Sequence, residues 1–198
     1  MELPKYNGTI HPEKWLKQVQ AHCYLKEIES EQKILKICKP LIDSIITIPD
    51  EINSFDELIK ALKSHSTFNI FKNSCKRTLQ LMKYIPDKEE NYTVKFLTKF
   101  HSLCNDAEIN DSEEIKNLLL NSHSNEFFKN EFKKKVNGTN SVDEIIKLFS
   151  DIIFEELRII KNNSIITLKH VTTGKYLSSC NVNYQTGSGW RVVCISII

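Results

Sequence analysis

The 198-residue sequence lacks most of the features that identify a function directly. Five glycines and five prolines exclude collagen-like and low-complexity classes. No apolar signal-peptide core follows Met1, so secretion is not expected. The apolar runs, such as residues 45–46 and 159–160, are far too short to span a bilayer, so we expect no transmembrane segment and no membrane partner. The predicted location is the cytoplasm, with the nucleus as the alternative.

Clustered metal ligands and catalytic motifs are also missing. The six cysteines never form a Cys-x-x-Cys pair, the spacing that usually brings two zinc ligands onto one turn. His101 and Cys104 stand three positions apart on a predicted helix and could share a metal, but a core cysteine beside a surface histidine is the preferred interpretation. No nucleophile-elbow, phosphate-loop or metal-helix motif occurs. We therefore predict no catalytic residue, no metal and no cofactor, that is, a protein that is not an enzyme.

Arginine is scarce and charge is unevenly distributed. Only three of the 27 basic residues are arginine, the side chain best suited to reading bases and gripping phosphates. Residues 1–164 hold 24 basic and 25 acidic residues, whereas residues 165–198 hold no Asp or Glu at all. A balanced helical part is a poor electrostatic footprint for nucleic acid, so we expect any RNA binding to be weak. The change in composition near residue 160 predicts two unlike parts.

Apolar residues recur at the helical period over the first 160 residues, which predicts a mainly α fold. Ser54, Asp111 and Ser141 each precede acidic residues in the pattern of a helix N-cap. Pro40 is expected to break or kink the helix that begins at Glu31. The polar stretch 86–91 predicts a link between two helical lobes, residues 1–87 and 88–160.

The pattern changes from period 3.6 to period 2 after residue 162. Residues 165–171 and 175–178 alternate like strands around a Thr-Thr-Gly turn, and residues 190–198 fit a third strand. This predicts a short C-terminal β-hairpin segment within residues 161–198. A hairpin of this size is only marginally stable by itself.

Two segments of the helical part resemble the capsid region of Gag from Ty3/gypsy-type retrotransposons and their domesticated, Arc-like relatives. Tyr6-Asn7-Gly8-Thr9 followed by Trp15-Leu16 resembles that family's entry to its first helix, and residues 92–103 resemble its segment with an aromatic residue, a Phe and a Leu at helical spacing. The resemblance covers roughly residues 4–158 and implies two small helical lobes that self-associate without catalysis. Neither the family's zinc knuckle nor a retroviral-type protease motif follows.

The tail resembles a different family, the MIR module of protein O-mannosyltransferases and of inositol-trisphosphate and ryanodine receptors. The run Leu-Lys-His-Val-Thr-Thr-Gly-Lys-Tyr-Leu and the later Thr-Gly-Ser-Gly carry this resemblance. Its motif positions are Leu168, His170, Gly174, Tyr176, Leu177 and Gly187. MIR units build β-trefoils from several repeats, so about 34 residues imply a partial module.

Four aromatic residues are candidates for an assembly interface, although each also fits a place in a helical core. They are Trp15, Phe127, Phe128 and Phe132. The predicted function is a non-catalytic, Gag-like protein that associates with itself as a homo-oligomer, either domesticated or a remnant, with weak RNA packaging. The alternative is a binding protein in which the MIR-like segment docks a ligand or protein and the helices serve as scaffold. A third hypothesis is a truncated gene product without activity.

Overall fold

The computed structural model describes residues 3–85, 91–157, 176–183 and 191–196, with the backbone alone for residues 156–157 and for the strands. This part of the protein is mainly helical, which confirms the predicted class. Its eight α-helices are α1 (Pro12–Tyr24), α2 (Glu31–Cys38), α3 (Phe55–Ser64), α4 (Ser66–Leu81), α5 (Tyr92–Asp106), α6 (Ser112–Ser122), α7 (Glu126–Lys135) and α8 (Val142–Leu157).

Helix starts follow the local rules that the sequence displays. The Ser54 hydroxyl accepts a hydrogen bond from the Glu57 N–H at 3.2 Å and caps α3, and Glu57 in turn accepts from the Asn53 N–H at 2.7 Å. Asp111 caps α6 by accepting from the Glu113 N–H at 3.1 Å. These bonds satisfy backbone donors that have no partner inside the helix, and they confirm both predicted starts.

Pro40 ends the second helix as expected. The α-helix stops at Cys38 and a short 3-10 helix, Lys39–Leu41, continues the chain. Proline cannot donate the backbone hydrogen bond that a further α-helical turn needs. The segment after it turns back toward the N-terminus, where the Tyr6 N–H donates to Leu41 and the Asp43 N–H donates to the Tyr6 carbonyl, both at 2.8 Å.

The first three helices enclose one hydrophobic core, here called the N-terminal core. Its buried members are Tyr6, Trp15, Leu16, Val19, Cys23, Ile34, Leu35, Cys38, Ile46, Ile52, Leu58 and Leu62. The Trp15 ring lies 5.1 Å from the Tyr6 ring, and its indole N–H donates to the Pro4 carbonyl at 2.8 Å. A buried tryptophan thus keeps its polar group bonded while its ring fills the core.

Helices α4 to α8 enclose a second core, here called the C-terminal core. Its aromatic residues pack around Phe149, whose ring lies 4.9 Å from Phe128, 5.7 Å from Phe132 and 5.7 Å from Tyr84. The polar stretch 86–91 that was expected to separate two lobes has residues 86–90 outside the described part. The lobe boundary at residue 87 therefore stays a prediction.

Contacts within the chain divide it into two compact units, Met1–Ile153 and Phe154–Ile198. Both hydrophobic cores belong to the first unit. In the second unit, β1 (Tyr176–Asn183) and β2 (Arg191–Ser196) pair antiparallel, with Tyr176 opposite Ser196. The predicted strand at residues 165–171 lies outside the described residues. No helix in the described ranges has the length and apolar composition needed to cross a membrane.

Candidate functional site

The four aromatic interface candidates occupy two different environments. Trp15, Phe128 and Phe132 are buried in the hydrophobic cores, whereas Phe127 is 50% exposed. A side chain that is enclosed by its own fold cannot contact a partner without rearrangement. Trp15, Phe128 and Phe132 are therefore core residues here, and Phe127 is the candidate that remains on the surface.

The phase of α7 explains this difference. Phe128, Phe132 and Val136 follow one another at intervals of four residues, so they lie on the face that packs on the C-terminal core. Phe127 lies one position away and points from another face of the helix, while its N–H is held by the Asn125 side chain at 2.8 Å. The backbone of Phe127 is thus capped at the start of α7, and its ring is partly exposed there.

The structure describes no side chain at the MIR-like motif positions. Leu168, His170, Gly174 and Gly187 lie outside the described residues, and Tyr176 and Leu177 are described only as backbone positions at the start of β1. The role predicted for this motif therefore stays a prediction.

The possible metal pair of the sequence consists of a buried and a half-buried residue. Cys104 belongs to the C-terminal core, where burial raises the pKa of its thiol to about 12. His101 lies one helical turn earlier, beside a surface groove between α5 and α8. Over the ranges the structure describes, no group of three or more His, Cys, Asp or Glu side chains could hold a metal ion.

The most concentrated polar site is one that the sequence did not indicate. Here it is called the junction cluster and consists of His11, Lys63, Phe68, Lys72 and Glu108. Phe68 is buried but belongs to neither hydrophobic core. The cluster joins α1 and α3 of the N-terminal core to α4 and the turn after α5.

Glu108 is the centre of the ion pairs. Lys63 Nζ lies 2.7 Å from Glu108 Oε1, and Lys72 Nζ lies 2.7 Å from Glu108 Oε2. Both ammonium groups also stand 6.0 Å from the centre of the Phe68 ring, within the range of a cation–π interaction. Glu108 has a φ of 52°, a left-handed conformation that is uncommon outside glycine and that turns the chain after α5.

Two further ion pairs flank the junction cluster. Lys63 also donates to Glu13 Oε1 at 2.7 Å. Lys14 lies 2.8 Å from Asp106 Oδ1 and donates to the Ser102 hydroxyl at 3.0 Å, which ties α1 to the end of α5. Of these two pairs, Lys63–Glu13 joins α3 to α1 within the N-terminal part, and Lys14–Asp106 links the N-terminal part to α5.

His11 is the buried polar member of the junction cluster. It is the N-cap of α1, and its Nδ1 accepts a hydrogen bond from the Glu13 N–H at 3.3 Å. In the neutral ring the proton is therefore assigned to Nε2. Nε2 is buried without a hydrogen-bond partner and lies 3.7 Å from Glu108 Oε1, beyond hydrogen-bond range. The ring packs edge-on against Phe68 at 5.4 Å.

The pKa values of the charged groups at this site are shifted by one another and by burial. Hydrogen bonds from Lys63 and Lys72 lower the pKa of Glu108 from 4.5 to about 2. Burial and then the positive charge of Lys63 lower the pKa of His11 below its usual 6.5. Burial acts to lower the pKa of Lys63, but its bonds to Glu108 and Glu13 outweigh this and raise it. At neutral pH the site thus holds charged Glu and Lys side chains around a neutral histidine.

A cavity of about 650 Å³ opens beside the junction cluster, here called the junction pocket. Its lining residues are His11, Glu13, Lys14, Lys17, Lys63, Lys72, Asn105, Glu108 and Asn110. Four lysines against two glutamates leave this wall with an excess of positive charge. Such a pocket can bind and orient an anion, and this arrangement contains no paired nucleophile and general base.

Comparison with known proteins gave no relative. No protein-family model, curated protein or solved structure matches this chain.

Proposed function

We propose that this protein is a non-catalytic, Gag-like protein whose function is to associate with copies of itself. In this proposal the helices form a two-lobe capsid-like bundle, followed by a short C-terminal β-hairpin segment. The two hydrophobic cores support a two-lobe arrangement, because α1–α3 and α4–α8 each enclose apolar residues of their own and the junction between the cores is largely charged.

The observation that carries the proposal is the position of Phe127. Its ring is 50% exposed, although the neighbouring Phe128 is fully buried. Aromatic side chains of this kind are enriched at the centres of protein interfaces, where they lose contact with water. In this proposal, the Phe127 ring contacts a second copy of the chain.

Light scattering across protein concentration and salt tests the proposal. We expect the average mass to rise with concentration in the unmodified protein and to rise less in Phe127→Ser. Ile45→Ser is the matched control, because Ile45 is also an exposed apolar residue, at 65%. A monomer at every concentration, or an equal loss in both variants, would contradict the proposal.

Weak RNA packaging is the second element of the proposal. The densest basic run, Lys133 to Lys135, lies at the end of α7, where Lys134 pairs with Glu131 at 2.8 Å. Internal pairing of this kind reduces the charge available to phosphates. We expect weak binding of single-stranded RNA that is seen at low salt and is lost as the salt concentration rises.

The alternative function is a MIR-type binding protein with the helices as scaffold. It is favoured by the acid-free composition of residues 165–198 and their resemblance to the MIR motif. Removal of residues 162–198 separates the two proposals. Unchanged self-association favours the Gag-like function, and loss of partner capture favours the MIR-type function.

A further inference from the structure

We propose that the junction pocket is a binding site for a small anion that carries several phosphate groups. This inference goes beyond self-association and does not use Phe127, the residue whose position carries that proposal. It rests on the charge of the pocket, on its unused hydrogen-bond donors and on one buried donor without a partner.

The pocket concentrates positive charge in a region that is otherwise balanced. Residues 1–164 carry 24 basic and 25 acidic side chains, yet the pocket wall has four lysines and two glutamates. Both glutamates are already bound to lysines, Glu13 to Lys63 and Glu108 to Lys63 and Lys72. Lys14 pairs with Asp106, so Lys17 is the wall lysine that keeps no carboxylate partner among the described residues, and an entering anion meets neutralised carboxylates and this free ammonium group.

Several donors of the wall are unused. Lys17 has no ion-pair or hydrogen-bond partner within the described ranges, and Lys72 uses one of its three N–H groups for Glu108. The side chains of Asn105 and Asn110 also line the pocket and make no hydrogen bond to other described residues. Donors from α1, α4 and the turn after α5 thus face one volume.

His11 adds the second, independent observation. Only 6% of this residue is exposed, and its Nε2 donor has no hydrogen-bond partner. A buried donor without an acceptor destabilises the folded protein, and a bound oxygen relieves this only if the enclosed ring turns toward the pocket that it lines. The nearest carboxylate oxygen, Glu108 Oε1, is 3.7 Å away.

Size and donor arrangement select a polyphosphate over a single phosphate or carboxylate. The cavity of about 650 Å³ lies within the range of sites for drug-sized ligands. A single phosphate fills only a small part of this volume, and the wall lysines come from α1, α3 and α4, so an extended anion has more lysines to contact. Ammonium groups act as point charges for phosphate oxygens, and a chain of phosphates can contact several.

Titration calorimetry of the full chain with sodium tripolyphosphate tests this site. We expect one ion per chain and an affinity on the order of tenfold weaker in Lys17→Gln, which removes one charged hydrogen bond. Lys17 has no described partner, so this variant should keep the stability of the parent. Lys36→Gln is the matched control, because it removes the same charge from an exposed position on α2 outside the pocket.

A second set of probes separates possible sources of the signal. We expect orthophosphate to bind far more weakly than tripolyphosphate at equal ionic strength, and tripolyphosphate to raise the thermal midpoint of the parent but less that of Lys17→Gln. Absence of binding, equal losses in Lys17→Gln and Lys36→Gln, or equal affinity for orthophosphate would each overturn the proposal. Lys17-dependent binding of an RNA oligonucleotide without binding of tripolyphosphate would also overturn it.

Discussion

Lys63 and Glu108 form an ion pair of 2.7 Å between a helix of the N-terminal core and the turn after α5. The same carboxylate binds Lys72 through its other oxygen, so a single side chain connects α3 and α4 to this turn. Its side chain is 29% exposed, which screens these pairs only in part. The junction is thus held by charges whose partners are far apart in sequence, and substitutions at Glu108 should reveal their contribution.

Glu108→Gln should lower the free energy of unfolding by about 1–2 kcal/mol, because two partly buried lysines lose their shared negative partner. Chemical denaturation at neutral pH measures this change. Glu51→Gln provides the control, since Glu51 is exposed and has no partner within the described ranges. An equal effect of the two substitutions would show that the Glu108 ion pairs add nothing to stability.

Acid should weaken the junction through the same carboxylate. The pKa of Glu108 is about 2 in the folded protein against 4.5 ordinarily, so the folded state binds this proton less tightly than the unfolded state. The stabilisation is therefore complete above pH 4.5 and declines as the pH falls toward 2. Over this range the parent should lose on the order of 2 kcal/mol more than Glu108→Gln, with allowance for solvent screening. Denaturation curves of both proteins at several pH values measure the difference.

Acidification should cause a second loss of stability through His11, in a pH range above that of Glu108. Its pKa in the folded protein is below 6.5, because burial and the charge of Lys63 oppose protonation. Glu13, Glu108 and Asp106 act in the opposite direction but do not cancel this effect. As the pH falls through 6.5, His11 takes up a proton in the unfolded chain more readily than in the folded protein. The free energy of unfolding therefore falls.

His11→Asn tests this prediction, because an asparagine oxygen can still cap α1 and does not titrate. The variant should lack the part of the pH dependence that begins near the ordinary histidine pKa of 6.5. An NMR titration of the His11 ring in the folded protein gives a direct reading. A ring that titrates above 6.5 would mean that Glu108 governs the site instead.

Local features of this fold were predictable and the junction was not. The caps at Ser54 and Asp111 and the helix break at Pro40 depend on side chains within a few residues of the backbone that they affect. The pairing of Lys63 with Glu108 has no such local signature. Glu108 also adopts a left-handed turn without glycine or asparagine to mark it.

Exposure of the aromatic candidates was partly readable from spacing. The interval of four residues from Phe128 to Phe132 and on to Val136 defines one face of α7, and Phe127 falls outside it. The spacing gives no information on which face is covered, because that depends on Phe149 from α8. The distinction between a core residue and a surface residue thus required the tertiary packing.

Substitution of Phe128 should change stability, whereas substitution of Phe127 should change self-association. Phe128→Ala should lower the free energy of unfolding by about 3–5 kcal/mol, since it leaves a cavity between His123 and Phe149. Phe127→Ala should change stability little, because half of its side chain is already in water. Denaturation measures the stability of both variants, and light scattering measures the loss of self-association expected of Phe127→Ala. Unchanged self-association in Phe127→Ala would remove this ring from the interface.

Gly8 and Gly138 offer a matched pair for separating backbone strain from crowding. Both have a φ of +81°, a conformation that L-residues rarely adopt. A Cβ at Gly8 would lie 2.8 Å from the Thr67 Cβ, whereas a Cβ at Gly138 would meet nothing within 4 Å. The Thr67 Cβ is attached to the backbone of α4, so no change of rotamer can move it away.

Gly138→Ala should therefore lower the free energy of unfolding by about 1 kcal/mol, the cost of the strained backbone alone. Gly8→Ala should cost more, because the segment before α1 must also move away from the start of α4. Denaturation of both variants measures the difference, and hydrogen exchange at Tyr6 and Asp43 locates it. Equal costs in the two variants would mean that this segment moves freely and that its contact with Thr67 does not constrain the fold.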